Sequence, residues 1–487
     1  MAERLLGMYV HMHWGYNHPY AARTWTLDDW EHYFSGLKAL GYNLVQIWQM
    51  IDTMPIPLTE SDRQHLYKIR KVITLAHKLG MTVYIGASAN TIGSEKAGDF
   101  KFENRPYFEC ERKLNPADAG EMAQLYNVRK QLIEPLSEAD GFWIIDSDPG
   151  GYKGSTPKDF AQIFLLHRKL LDELRPGIKL LYWVWDGWRD PVPYDPNWSK
   201  NPQDCWRVAL KEIAQINPEP WGILACWKGH FSVIDELGLT ERVLYFPYAT
   251  IEDEPSFPWT YYDPDRIERA FSEISLEKFP VGAMGNAQSH CLQLPHTYLF
   301  KHFANGGIKS QIDLRKFAEI IAPGCGILLS KAWETFAGDD LMRMGTISAG
   351  LAAISSESKI RRGALAGLCF GDMHRLITDL RMEIQLKIEI LRLKKAIETG
   401  SDIPGETGVL PALFKNMLVK LTQWHDCHGY NDRYYGTFRN LLHPVLKELS
   451  AKIPDGELLA RALDEFDKGS HHGAFRRLLD SLLAIAG

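Results

Sequence analysis

Seven cysteines in 487 residues, at 110, 205, 226, 291, 325, 369 and 427, form no CxxC pair and are odd in number. That argues against a disulfide framework and against a structural zinc site, and leaves buried thiols as the expectation. No apolar stretch reaches the roughly 18 residues needed to cross a bilayer, and no charged region followed by a long apolar segment opens the chain. The chain as given therefore reads as soluble, with no membrane partner. Its first strand pattern starts so near Met1 that a removed leader and the compartment both stay open. Excess charge of one sign is also missing: 55 Lys and Arg against 61 Asp and Glu give a formal net charge of -6 and a pI near 6.3. No broad basic field is left for nucleic acid, and a neutral or mildly charged small ligand is easier to accommodate. Low-complexity tracts are absent, and nothing in the sequence asks for a cofactor. Aromatics are abundant, with 15 Trp and 20 Tyr, and many stand at the ends of apolar runs.

Short strand-like runs alternate with amphipathic stretches from residue 7 to about 300, the pattern of repeated βα units around a parallel sheet. Strands are expected at 7–15, 42–48, 81–88, 141–148, 178–186, 222–227, 243–248 and 281–286. Eight units make a (β/α)8 barrel. Helix punctuation agrees: Thr26 to Asp29 opens the first helix and Gly41 closes it, while Thr156 and Pro157 open the helix after strand four. Past residue 305 the pattern turns helical, as at 382–395. The fold class is thus α/β, a barrel over 1–305 followed by a C-terminal α-helical domain over 306–487, whose amphipathic helices could serve a homo-oligomer interface. Two long loops, 91–116 and 187–203, lie on the C-terminal side, where binding sites are shaped.

Asp146 and Asp148 close the apolar run that begins at Gly141, and a Pro-Gly-Gly turn follows them. Alternation along a strand turns both carboxylates to one face, at the mouth where barrel enzymes place their chemistry. Two like charges this close push one pKa upward, so that one group is an acid and the other a base near neutrality. Asp186, among Trp183, Trp185 and Trp188, is the third candidate acid. Because Asp186 and Trp188 share a parity, Trp183 and Trp185 have two readings, sugar platform or helix-facing core. The other strand ends supply His11, His13, Trp14, Gln46, Trp48, Ser88, Asn90, Trp227, Tyr245, Tyr248, Asn286 and Gln288. Aromatic faces beside amides and carboxylates form the lining of a carbohydrate site.

His11 and His13, at i and i+2 on the first strand, also open a metal-dependent amidohydrolase reading. The later strands do not continue it, since strand five ends in Asp186 rather than His and strand eight presents Asn286 rather than Asp. His425 with His428, and His471 with His472, lack further ligands and read as ordinary helix or surface histidines.

With its acidic pair at the end of strand four, the chain resembles the TIM-barrel glycoside hydrolases, in particular the β-N-acetylhexosaminidases of families 20 and 84. That resemblance implies an exo-acting glycosidase in which Asp146 and Asp148, in either order, protonate the leaving oxygen and polarise a substrate acetamide. It also draws attention to Glu252, after strand seven, where many retaining barrel glycosidases hold a nucleophile; as part of an acidic loop run, Glu252 to Glu254 is expected to be solvated. A barrel followed by helices also resembles the α-glucuronidases, which implies a basic pocket, for which Arg23, Lys228 and Arg189 are the candidates. A barrel that binds carbohydrate without cleaving it is the remaining alternative.

Overall fold

The computed structural model describes residues 3–13, 15–107, 109–145, 148, 151–185, 197–199, 204–252, 259–287, 289–356, 360–399, 409–429, 436–468 and 474–486. Eight parallel strands close a barrel: β1 (Leu5–His11), β2 (Leu44–Trp48), β3 (Thr82–Ser88), β4 (Gly141–Ile145), β5 (Lys179–Trp183), β6 (Trp221–Ala225), β7 (Val243–Tyr245) and β8 (Gly282–Ala287). Each pairs with its neighbours in sequence, and β8 returns to β1 in a register that sets Gly282 opposite Leu5. All eight expected strands are present, several shorter than the apolar runs that announced them. β4 closes at Ile145, short of the acidic pair, so Asp148 lies beyond the strand and the one-face argument does not reach it.

Eight helices accompany the barrel strands: α1 (Leu27–Leu40), α2 (Glu60–Lys78), α3 (Ala119–Ile133), α4 (Pro157–Leu174), α5 (Cys205–Ile216), α6 (Lys228–Glu236), α7 (Pro264–Ser272) and α8 (Leu294–Ala304). Three of them start in reciprocal capping boxes, Thr26 with Asp29, Thr59 with Asp62 and Thr156 with Asp159. Each box satisfies two otherwise orphaned backbone N–H groups and keeps the start of the helix in register. Gly41 ends α1 at φ 104°, a left-handed turn that glycine adopts without cost.

The barrel interior is packed with aromatic rings. Trp143 fits only because the facing position on β3 is Gly86: a Cβ there would lie 1.8 Å from the indole. Tyr9, Trp48 and Trp183 meet Trp143 with ring centroids 4.8 to 6.2 Å apart, mostly edge to face. The barrel floor is therefore closed by side chains.

Helices α9 (Leu314–Ile321), α10 (Gly326–Glu334), α11 (Leu341–Ser355) and the first half of α12 (Met373–Thr399) share the barrel's apolar cluster, which runs without a break from Leu6 to Leu391. A second cluster joins the far half of α12 to α13 (Val409–His428), α14 (Gly436–Ser450), α15 (Gly456–Lys468) and α16 (Ala474–Ala486). Trp259, from the chain between β7 and α7, inserts into this second cluster. The helical region also grips the loop after β1: Asn17 N–H donates to His428 O at 2.9 Å, and Tyr20 Oη donates to Asp379. Six cysteines are buried, Cys427 is partly so, and all are free thiols. No helix among the described residues is long and apolar enough to cross a membrane.

Candidate active site

At the C-terminal mouth, His11 and His13 are buried and bonded to each other. His13 N–H donates to His11 Nδ1 at 3.3 Å, so the His11 proton sits on Nε2, which faces His13 Nδ1 at 2.5 Å. The His13 proton is thereby directed to Nε2. Burial first holds both rings well below the ordinary histidine value, followed by Arg23 and His290 at His11 and by His11 and Arg23 at His13, so both are neutral. This hydrogen-bonded arrangement commits two ring nitrogens that a shared metal would need. Among the described residues, no group of three His, Cys, Asp or Glu side chains is placed to hold a metal ion.

Tyr107 lies on His13, centroids 3.7 Å apart, and its hydroxyl is 3.2 Å from Ser88 Oγ. The phenol is pushed well above its usual value by burial, with further contributions from the charges of Asp52, Glu111 and Asp148. Asp148, half-buried, therefore stands within electrostatic reach of Tyr107. Beneath them, Trp48 Nε1 donates to Asp52 Oδ2 at 2.9 Å, and Asp52 Oδ1 accepts from Arg129 Nη2 at 2.6 Å and from Ser88 N–H at 3.0 Å. Arg129 also donates to the carbonyls of Ser88 and Thr91. This buried ion pair ties the ends of β2 and β3 to α3 and fixes the indole that backs the histidines.

Sequence reasoning missed Tyr107, Asp52 and Arg129. Tyr107 lies in the long loop after β3, which was marked as site-shaping, but no periodicity singled it out. Asp52 and Arg129 are 77 residues apart and become a pair only in the folded chain.

Trp183 and Trp185 face the barrel axis, not the helices: Trp183 meets Tyr9, Trp48 and Trp143, and Trp185 meets Trp227 and Tyr248. The residue of opposite parity, Tyr182, is the one that packs on α4, against Phe160 and Phe164. Tyr245 is a correction. It points outward from β7, donating its hydroxyl to Ala270 O and packing on Phe231, Phe271 and Phe279, because Phe246 and Tyr248 hold the inward parity. Asn90 is also spent on structure: its amide donates to Leu114 O and anchors the two-stranded ribbon formed by Thr91–Gly93 and Glu111–Lys113.

Glu252 is not solvated. It is fully buried, accepts the Ser289 N–H at 2.7 Å, and its backbone carbonyl accepts from Asn286. The basic pocket also fails for two of its members. Arg23 spends its guanidinium on the carbonyls of Met12, His13, Glu103 and Arg105, and Lys228 is an exposed residue paired with Glu273 at 3.8 Å. Trp14, Asp146, Asp186, Arg189, Gln288, Glu254, His471 and His472 lie outside the described residues.

Among the described residues, several buried polar atoms have no hydrogen-bond partner: Trp185 Nε1, Asn286 Oδ1 and Ser289 Oγ toward the mouth, and both amide atoms of Gln46 and Trp143 Nε1 within the strands below it. Leaving such a group unmatched costs roughly 1–3 kcal/mol. Donors and acceptors set among indole faces are matched by a solute that presents hydroxyls on an apolar ring.

No protein-family model and no curated protein matches the sequence. Among solved structures, a GH138 enzyme targeting pectin rhamnogalacturonan II aligns over 95% of this chain and 67% of its own, at 10% identity and a TM-score of 0.50. An O-GlcNAc hydrolase of Thermobaculum terrenum aligns over 94% of this chain and 96% of its own, at 13% identity and a TM-score of 0.45. The chain is a (β/α)8 barrel with a C-terminal helical region. At such low identity the likeness is one of fold.

Proposed function

We propose that this protein is a glycoside hydrolase acting on a terminal sugar. The observation that carries the reading is the aromatic barrel interior beneath Trp185 Nε1, Asn286 Oδ1 and Ser289 Oγ, buried polar atoms at the strand ends that have no hydrogen-bond partner among the described residues. Asp148 and Asp146 are assigned the chemistry, in either order. One carboxyl gives its proton to the glycosidic oxygen as the bond to the anomeric carbon breaks. The other orients a substrate acetamide or activates water. Water then supplies the hydroxyl to the anomeric carbon and returns a proton to the protein. His13 would bind a substrate hydroxyl through Nε2, with His11 holding its ring and tautomer in place.

The test is a panel of nitrophenyl glycosides, including N-acetylglucosaminide, N-acetylgalactosaminide, glucuronide and neutral hexosides, assayed with and without chelator. Chelator-insensitive release that is lost in Asp146→Asn or Asp148→Asn supports the proposal. Chelator-sensitive activity moves the chemistry to a metal, and calorimetric sugar binding without product points to a binding protein.

A further inference from the structure

Five indoles form a continuous series from the barrel floor to its rim. Trp48 meets Trp143 at 4.9 Å, Trp143 meets Trp183 at 4.8 Å, Trp183 meets Trp185 at 5.7 Å, and the series ends with Trp185 on Trp227 at 4.8 Å and an interplanar angle of 32°. Exposure rises along it, from 1% at Trp183 through half-buried Trp185 to 39% at Trp227. Trp227 is also held in place: it precedes the first turn of α6, and His230, whose ring accepts the Cys226 N–H, packs edge-on against it at 5.1 Å. Beside it the buried Trp185 Nε1 has no partner among the described residues, and Tyr248 meets Trp185 edge-on at 5.3 Å.

A rigid, partly exposed indole beside an N–H donor that is unmatched among the described residues fits the C–H face of a pyranose whose hydroxyl accepts that N–H. The floor is closed, so the sugar to be released sits inward of this platform and the bond to be cut lies between them. We infer that Trp227, with Trp185 Nε1, forms a subsite for the sugar on the leaving-group side. The substrate class is then an oligosaccharide or glycan, not a glycoside of a small apolar alcohol. This inference rests on the glycosidase reading.

The experiment compares matched pairs that share a terminal sugar and differ in leaving group, such as nitrophenyl N-acetylglucosaminide with diacetylchitobiose, and the corresponding glucuronide and hexoside pairs. Wild type, Trp227→Ala and Trp227→Phe are assayed on each. The expected result is that Trp227→Ala lowers kcat/KM for the oligosaccharide roughly tenfold more than for the nitrophenyl partner, with the loss mainly in KM, and that Phe recovers most of it. Equal losses on both members of a pair, or no loss on the oligosaccharide, would overturn the subsite while leaving the glycosidase reading intact. Wild-type silence on every pair would remove the glycosidase reading and this inference with it.

Discussion

Replacing Glu383 with Gln is expected to remove a pH dependence of stability built into the junction between the helices and the barrel. Glu383 on α12 is fully buried, and its Oε2 accepts the Thr260 N–H at 3.2 Å, next to Trp259 in the second apolar cluster. Its Oε1 lies 3.8 Å from His428 Nε2. His428 Nδ1 lies 2.9 Å from Trp424 O and must carry the ring proton to bond it. With the ring neutral, its value lowered to about 3 chiefly by burial, Nε2 is a bare acceptor. A carboxylate facing that lone pair is repelled, and a protonated carboxyl is not. Burial is the main cause raising Glu383 from 4.5 to about 8. Between those values the folded chain keeps a proton that the unfolded chain has lost, so stability falls as pH rises through this window and the loss is complete above about 8. At about 1.4 kcal/mol per pH unit the ceiling is on the order of 5 kcal/mol, and relaxation around the site should leave roughly 2. Gln presents an uncharged amide with an N–H toward His428 and does not titrate. Asp379, raised to about 6 chiefly by burial, adds a slope of the same sign in both proteins at the lower end of the window. Thermal unfolding of wild type and Glu383→Gln from pH 5 to 9 should give curves that nearly coincide at pH 5 and diverge in favour of the variant by pH 8.5. Parallel curves, or a variant less stable at pH 8.5, would refute the reasoning.

Gly86→Ala should cost about 1–3 kcal/mol, because the new methyl must displace the Trp143 indole from a filled barrel interior; denaturant unfolding followed by tryptophan fluorescence checks this, and an unchanged midpoint would contradict it. Asp52→Ala should be costlier, about 3–5 kcal/mol, since it strands the Arg129 guanidinium in a site where both partners are fully buried; the same unfolding assay applies, and a loss below about 1 kcal/mol would show that the pair is not what holds β2 and β3. Asp148→Asn should lower kcat about 10²- to 10⁴-fold on whichever glycoside is cleaved, with circular dichroism unchanged. Retained activity would release Asp148 from its role.

The chain's own text determined the barrel, the count of eight strands and the caps of the helices, because alternation, capping boxes and glycine turns act over a few neighbouring residues. It also marked the mouth: His11, His13, Trp48, Trp185, Trp227 and Tyr248 were legible as strand-end residues and do gather there. Parity at strand ends was less secure, since a strand one residue shorter or longer changes which side chains turn inward, and Tyr245 was misplaced for that reason. Tertiary structure decided the rest. The burial of Glu252 depends on the Ser289 amide brought in just after β8, the anchoring of Asp52, which holds Trp48, on Arg129 from α3, and the stacking of Tyr107 on His13 on the path of a loop without periodicity. Each joins residues 34 or more positions apart. Only chain closure brings such partners together, and local pattern carries no record of it.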